Sequence, residues 1–197
     1  VVVPASAAHR IESDLIDVEL AALPCSWSTA ENLLTRAGVG PGERVLVTGA
    51  SGGVGSSAVQ LAVARGAHVV AVAGAAKLDA VRALGAAEVV DRSGSIVDAC
   101  GRDSVDVVID VVGGDRWPEL LDVLRPRGRY AVSGAIGGAE VALDLRTLYL
   151  KDLSLHGCTV LDPGVFAALV RRVERGDVRP VVAATFPLER IVEAQEQ

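Results

Sequence analysis

The chain has 197 residues, half of them apolar, 3% aromatic and 22% charged, with a formal net charge of −6. That length suits one large domain, or one domain with part of a second, and the aliphatic content can bury a sizeable core. The acidic balance and the lack of a Lys/Arg block point away from nucleic acid, whose phosphates need clustered cations, and no apolar run reaches the roughly 18–20 residues of a membrane span.

Val1, Val2, Val3 and Pro4 lack a basic flank, so the start reads as a strand entered in its middle rather than a signal peptide. With no initiator Met, the chain reads as cut from something longer. Residues 13–22 are weakly helical. A better helix is expected from Ser28 to Ala37, with Ser28 and Glu31 at capping-box spacing and Gly38 as its stop. Beyond Pro41 and Gly42 the pattern alternates. Strands are expected at 44–49, 68–73, 88–91, 105–112, 129–133, 154–160 and 180–184. Helices are expected at 54–65, 76–84, 95–100, 116–124, 144–151 and 163–175. Continuous apolar strands between helices imply right-handed crossovers. The expected fold is a Rossmann-type α/β unit: a doubly wound parallel sheet of about six strands with helices on both faces.

Ligands of such sheets sit beyond the carboxyl ends of the strands, which directs attention to the turn after 44–49. There Ala50, Gly52 and Gly55 occupy a G-x-G-x-x-G frame, with Gly49 just before and Ser51, Gly53 and Val54 between. Small residues at 49 and 50 permit a tight turn. Gly52 lets backbone approach a pyrophosphate, and Gly55 lets helix pack on strand. The helix N-terminus then presents free N–H groups to the phosphates. Strand before and helix after satisfy the context such a turn needs. No Gly-Lys-Ser/Thr follows, so it is not a Walker loop.

About 20 residues further on, an acid usually holds the ribose 2′-OH of NAD. Here Gly74, Ala75, Ala76 and Lys77 stand instead, and Asp79 already lies inside a helix. Small residues with Lys77, and Arg92 after the third strand, favour a 2′-phosphate. NADP is therefore the first choice of cofactor and NAD the second.

Together these residues resemble the medium-chain dehydrogenase/reductase superfamily, over essentially the whole chain. The turn from Gly49 to Gly55 is similar to the Ala-x-x-Gly-x-x-Gly turn of its quinone oxidoreductase branch. Leu84-Gly85-Ala86, the run from Val108 to Gly114, and the run from Leu124 to Arg129 fit the same family. The resemblance implies hydride transfer between nicotinamide and a carbonyl, an alcohol, or a quinone or enone. It matches Lys77 to the lysine that meets the 2′-phosphate, and puts Arg92 where relatives often carry a tyrosine. It places Val112, Ser133, Gly134, Ala135, Gly157 and Cys158 near the nicotinamide half. It also implies a homodimer through the sheet edge near 154–160.

On the same resemblance, 1–40 is a junction segment from a largely absent N-terminal catalytic domain, and 41–197 is the dinucleotide-binding domain. Most substrate-contacting residues would then lie outside the chain, and the chain alone would turn over little. Cys25 precedes Ser28 and Thr29 in a stretch similar to one whose cysteine binds catalytic zinc in some relatives. Zinc needs three protein ligands, so the packing reading of Cys25 is preferred and zinc is left to the full-length protein.

The remaining chemistry reads blandly. His9, His68 and His156 are isolated and suit core or edge packing. Asp106, Asp110, Asp115 and Asp122 suit solvated or helix-capping roles. Tyr149 and Lys151 lack Tyr-x-x-x-Lys spacing, which disfavours a short-chain reductase. Three cysteines, Cys25, Cys100 and Cys158, form no CxxC and read as reduced thiols of a cytoplasmic protein. The rivals to a cofactor domain are a non-catalytic nucleotide-binding module and an enoyl-reductase unit of a larger synthase.

Overall fold

The computed structural model describes residues 2–196. Its centre is a parallel sheet of β1 (Arg44–Val47), β2 (His68–Ala73), β3 (Glu88–Asp91), β4 (Val105–Asp110), β5 (Leu124–Val132) and β6 (Ser154–Gly157). Their order is β3-β2-β1-β4-β5-β6, every pairing parallel. The order reverses between β1 and β4, which makes that point the topological switch.

Successive strand residues face opposite ways, and here both faces are covered. Val45, Val47, Val107 and Ile109 pack into one core with α2 (Ser28–Arg36), α3 (Gly53–Ala64), α4 (Leu78–Ala83) and α8 (Val165–Glu174). Leu46, Val70, Val72 and Val108 pack into the other with α5 (Ile96–Cys100) and α6 (Trp117–Val123). That is why these strands are continuous apolar runs rather than alternating ones. Shorter helices are α1 (Asp17–Ala21), α7 (Leu145–Leu150) and α9 (Ile191–Gln195). Among the described residues no helix is long and apolar enough to cross a membrane.

Several expectations are corrected; the strands expected at 44–49 and 105–112 end at Val47 and Asp110. Residues 2–4 form no strand, and Val1 lies outside the described residues. The segment 180–184 forms no strand either, although Val181 and Val182 are β-branched. A strand needs a ladder partner, and none lies beside it among the described residues. The sixth strand ends at Gly157 rather than 160. The fifth starts earlier, at Leu124, because the chain stays extended after α6 and continues through a register shift opposite Val105–Val107.

Ser28 does not cap a helix. The chain enters α2 already wound, through a π-helical turn at Leu23–Trp27, and the Ser28 hydroxyl donates to the Pro24 carbonyl at 2.5 Å. Glu31 is instead 2% exposed and paired with Arg65, whose Nη2 lies 2.7 Å away. Arg172 of α8 lies 3.7 Å from the same carboxylate. The three charges tie α2, the end of α3 and α8 together. Trp27, Leu33 and Leu34 of this segment are in the main core, none above 3% exposed.

Candidate dinucleotide site

At the switch point β1 runs into Thr48 and Gly49. Gly49 has φ +56°, and a Cβ there would stand 2.9 Å from Val111 Cγ2. Both the backbone sign and the crowding demand glycine. The chain then folds back, with the Gly52 N–H donating to the Gly49 carbonyl at 2.9 Å and the Ala50 N–H to Val72 at 3.0 Å. Gly55, in the first turn of α3, passes so close that its Cβ would fall 2.1 Å from the Gly49 oxygen. Glycine at 49 and 55 is thus required by the fold.

Gly52 differs. It is the N-cap of α3 in ordinary extended conformation (φ −83°, ψ 173°), and an added Cβ would meet only the Gly49 oxygen, at 3.4 Å. The protein itself leaves room for a side chain there. Gly52 makes no side-chain cap, so the first N–H groups of α3 remain available to a ligand. A glycine the fold tolerates losing, at an uncapped helix start, is what close approach of a pyrophosphate needs.

The turn opens on a cleft of about 470 Å³. Of the residues expected at the cofactor, Ser51, Gly52, Gly53, Val54, Gly55, Gly74, Arg92, Val112 and Ser133 line it. Ala50 is fully buried beneath the turn. Lys77 stands outside the lining, at the end of a 3-10 turn, its N–H donating to the Gly74 carbonyl at 2.8 Å. Gly134, Ala135 and Gly157 line a neighbouring hollow of about 240 Å³ with Trp117 and Tyr130. Cys158 is 3% exposed, and burial pushes its thiol up.

Sequence reasoning missed Thr48, Val72, Ala73, Asp110, Gly113, Arg116 and Ile136, all of which line the cleft. Asp110 is the main correction. It is neither solvated nor a cap but completely buried. Its carboxylate accepts from Thr48 Oγ1 and from the Tyr130 hydroxyl, each at 2.5 Å. It also accepts from the N–H groups of Val112 at 2.9 Å and Gly113 at 3.1 Å. Thr48 Oγ1 in turn accepts the Val111 N–H at 3.1 Å. Burial, then the hydrogen bond and charge of Asp110, push the Tyr130 phenol far above its ordinary value, so it remains a donor. The Tyr130 ring meets Trp117 edge-on at 4.7 Å. This network shapes the backbone 111–113 that forms one cleft wall. Asp115, by contrast, is exposed as expected, and Asp122 pairs with Arg102 at 2.8 Å.

At the other end of the cleft, β2 closes on Gly74 with no carboxylate among the lining residues there. A Cβ on Gly74 would sit 3.6 Å from Arg92 Nε, so the small residue makes room for that guanidinium. Arg92 forms no ion pair among the described residues and therefore offers its charge to the cleft.

Among the described residues no group of three His, Cys, Asp or Glu side chains could hold a metal. Cys25 is exposed in the turn before α2 and stands alone. The described residues do not make a zinc site. Cys25, Cys100 and Cys158 are all unpaired. His68 begins β2 with its Nε2 2.8 Å from Glu88, and His9 meets Phe166 in a tilted contact at 4.9 Å.

Comparison with known proteins agrees with this geometry. A zinc-binding dehydrogenase family model matches residues 53–175. The chain is 35% identical over 189 residues to the spectinabilin polyketide synthase system protein NorB of Streptomyces orinoci, covering 87% of this chain and 8% of that one. It is 34% identical over 176 residues to acryloyl-coenzyme A reductase of Metallosphaera sedula, covering 88% and 52%. It superposes on a crystal structure of a candidate alcohol dehydrogenase from Sinorhizobium meliloti 1021 with a TM-score of 0.93 and 48% identity, covering 98% and 55%. The chain thus spans about half the length of the last two relatives and a small part of the first. It belongs to the zinc-binding dehydrogenase family, as a cofactor-binding domain of the medium-chain dehydrogenase/reductase superfamily.

Proposed function

We propose that this chain is the NADP(H)-binding domain of an oxidoreductase that moves hydride between nicotinamide and a carbonyl, an alcohol, or a quinone or enone. The observation that carries the reading is the turn from Gly49 to Gly55. Two of its glycines serve the fold, and Gly52 leaves space the protein does not fill. The nicotinamide supplies the hydride. The chain's residues bind and orient it: the α3 N-terminus meets the pyrophosphate, Arg92 meets the 2′-phosphate with Lys77 adding charge from outside the cleft lining, and the wall at 111–113 sets the nicotinamide end. Orientation is the expected catalytic gain, since hydride transfer needs donor and acceptor carbons about 3–3.5 Å apart. Most substrate-contacting residues and zinc ligands, where zinc is used, would be supplied by the longer protein, and activity with them.

Calorimetric titration with NADPH and, in parallel, NADH tests the reading. Tighter binding of NADPH supports it. Equal binding retains the dinucleotide site and removes the preference. Binding of neither by folded protein removes the reading and leaves a non-catalytic module.

The Streptomyces orinoci relative favours a second reading, a reductase unit within a larger synthase, and the domains flanking this chain in its native polypeptide decide between the two. The reading includes a homodimer. β6 is an edge strand, and Leu155 on it and Leu145, Tyr149 and Leu150 on α7 are exposed. An unpaired edge bordered by apolar side chains suits isologous pairing with a second copy. Sedimentation at the mass of two chains, reverting to one with Leu155→Lys, is the expected result. A cytoplasmic location, in keeping with three unpaired thiols, completes the reading.

A further inference from the structure

The loop that carries Arg92, between β3 and α5, is held in part by its own residues, the Ser93 N–H donating to Asp91 Oδ1 at 3.0 Å. The Arg92 N–H donates to the Ala73 carbonyl at 2.8 Å, tying the loop to the end of β2. The Gly94 N–H turns back on Asp91. The Arg92 and Gly94 carbonyls face away from any ladder, and both are taken by one side chain from a different element.

That side chain is Arg116, just ahead of α6. Its Nη1 donates to the Arg92 carbonyl at 2.5 Å and its Nη2 to the Gly94 carbonyl at 2.7 Å. Its Nε donates to Glu119 Oε1 at 2.6 Å, and Nη2 also reaches Glu119 Oε2 at 3.1 Å. Glu119 Oε2 accepts the Ile96 N–H at 2.8 Å, at the first residue of α5. One Arg–Glu pair therefore grips both ends of the loop. A guanidinium has five N–H groups, and these contacts commit four of them. Its charge is already met by Glu119. Arg116 lines the cleft yet has little left to give a ligand. Arg92, which it holds by the main chain, has its guanidinium free over Gly74.

We propose that Arg116 is a positioning residue for cofactor selectivity: it fixes the loop so that Arg92 meets a phosphate on the ribose 2′-oxygen. The inference rests on the NADP(H) reading above. It separates the cation that binds from the cation that aims. It further implies that Arg116 discriminates NADPH from NADH without touching the phosphate.

The experiment is parallel titration of the 197-residue chain and of its Arg116→Ala, Arg92→Ala and doubly substituted forms with NADPH and NADH. A charge-assisted contact of this kind is worth roughly tenfold in affinity. Arg116→Ala is expected to weaken NADPH by about that factor and to leave NADH within about twofold. The double variant is expected to bind NADPH no worse than Arg92→Ala alone, because Arg116 acts through Arg92. Arg116→Lys keeps the charge but lacks the planar fork that reaches Glu119 and both loop carbonyls at once. It is expected to lose selectivity as Arg116→Ala does, and it decides the matter if the alanine variant does not fold. Equal weakening of both nucleotides overturns the proposal, as that is loss of general structure. Additive losses in the double variant also overturn it, since Arg116 would then bind the phosphate itself. A parent chain that binds NADPH no tighter than NADH overturns it together with the reading it rests on. Selectivity in the parent with none lost in Arg116→Lys overturns the proposal alone.

Discussion

The two ends of the cleft are held by different physics. At the β1/β4 end, a fully buried carboxylate collects two hydroxyls and two N–H groups. At the β2/β3 end, the Arg116–Glu119 pair is about a third exposed, 33% and 29%, and Arg92 is open to solvent. Buried donors left without a partner cost their full desolvation, whereas exposed ion pairs are screened and contribute little to stability. A change at the first end should therefore damage the fold, and a change at the second should cost little stability and act mainly on which nucleotide is preferred.

Asp110→Ala is the strongest test of that contrast. It strands the Tyr130 and Thr48 hydroxyls and the 112–113 amides, at an expected cost of roughly 3–5 kcal/mol. Thermal unfolding should then shift by about 6–20 °C for a chain of this size. Tyr130→Phe removes one donor, keeps the packing on Trp117, and should cost about 1 kcal/mol. An Asp110→Ala variant as stable as the parent would break the comparison at its buried end.

Asp110 also marks how far the sequence could be read. Its strand was legible because a sheet covered on both faces writes itself as runs such as Val45–Val47 and Val107–Ile109. The glycine turn was legible because Gly49 and Gly55 answer to local backbone geometry. Asp110 was misread because its partners come from positions 48, 112–113 and 130, a convergence that no spacing reveals. Ser28 and Glu31 carried a capping signature, but the preceding turn at 23–27 is already helical, so the cap had no end to close. Arg116 was invisible for the same reason as Asp110, as its targets lie in another loop. Residues 180–184 had strand composition without a neighbour to pair.

Arg92→Ala comes next in size. It should weaken NADPH by roughly tenfold while leaving the unfolding temperature unchanged, because its guanidinium holds no part of the fold. Lys77→Ala should weaken NADPH less, about threefold, since Lys77 stands outside the cleft lining and acts through solvent. A larger effect for Lys77 than for Arg92 would invert the assignment. Both effects should shrink in high salt.

The smallest expected effect is on pH. Burial raises the Glu119 carboxyl, but the hydrogen bonds from Arg116 and from the Ile96 N–H outweigh it and leave the group below its ordinary value of 4.5. A depressed carboxylate stabilises the fold above its unfolded value, and that contribution is lost as pH falls through the folded value. Stability from this pair should thus be complete above about pH 4.5 and decline below it. Glu119→Gln should remove that part of the acid dependence, as read by denaturant titrations at several pH values.

The most direct measurement is NADPH binding by Gly52→Ala, with its unfolding temperature taken alongside. The fold accepts a Cβ at this position at 3.4 Å from its nearest neighbour, so the variant should unfold with the parent. If the turn cradles a pyrophosphate, that same Cβ occupies the ligand's place, and affinity should fall by at least about tenfold. A folded Gly52→Ala that binds NADPH as tightly as the parent would mean the glycine turn serves the architecture alone.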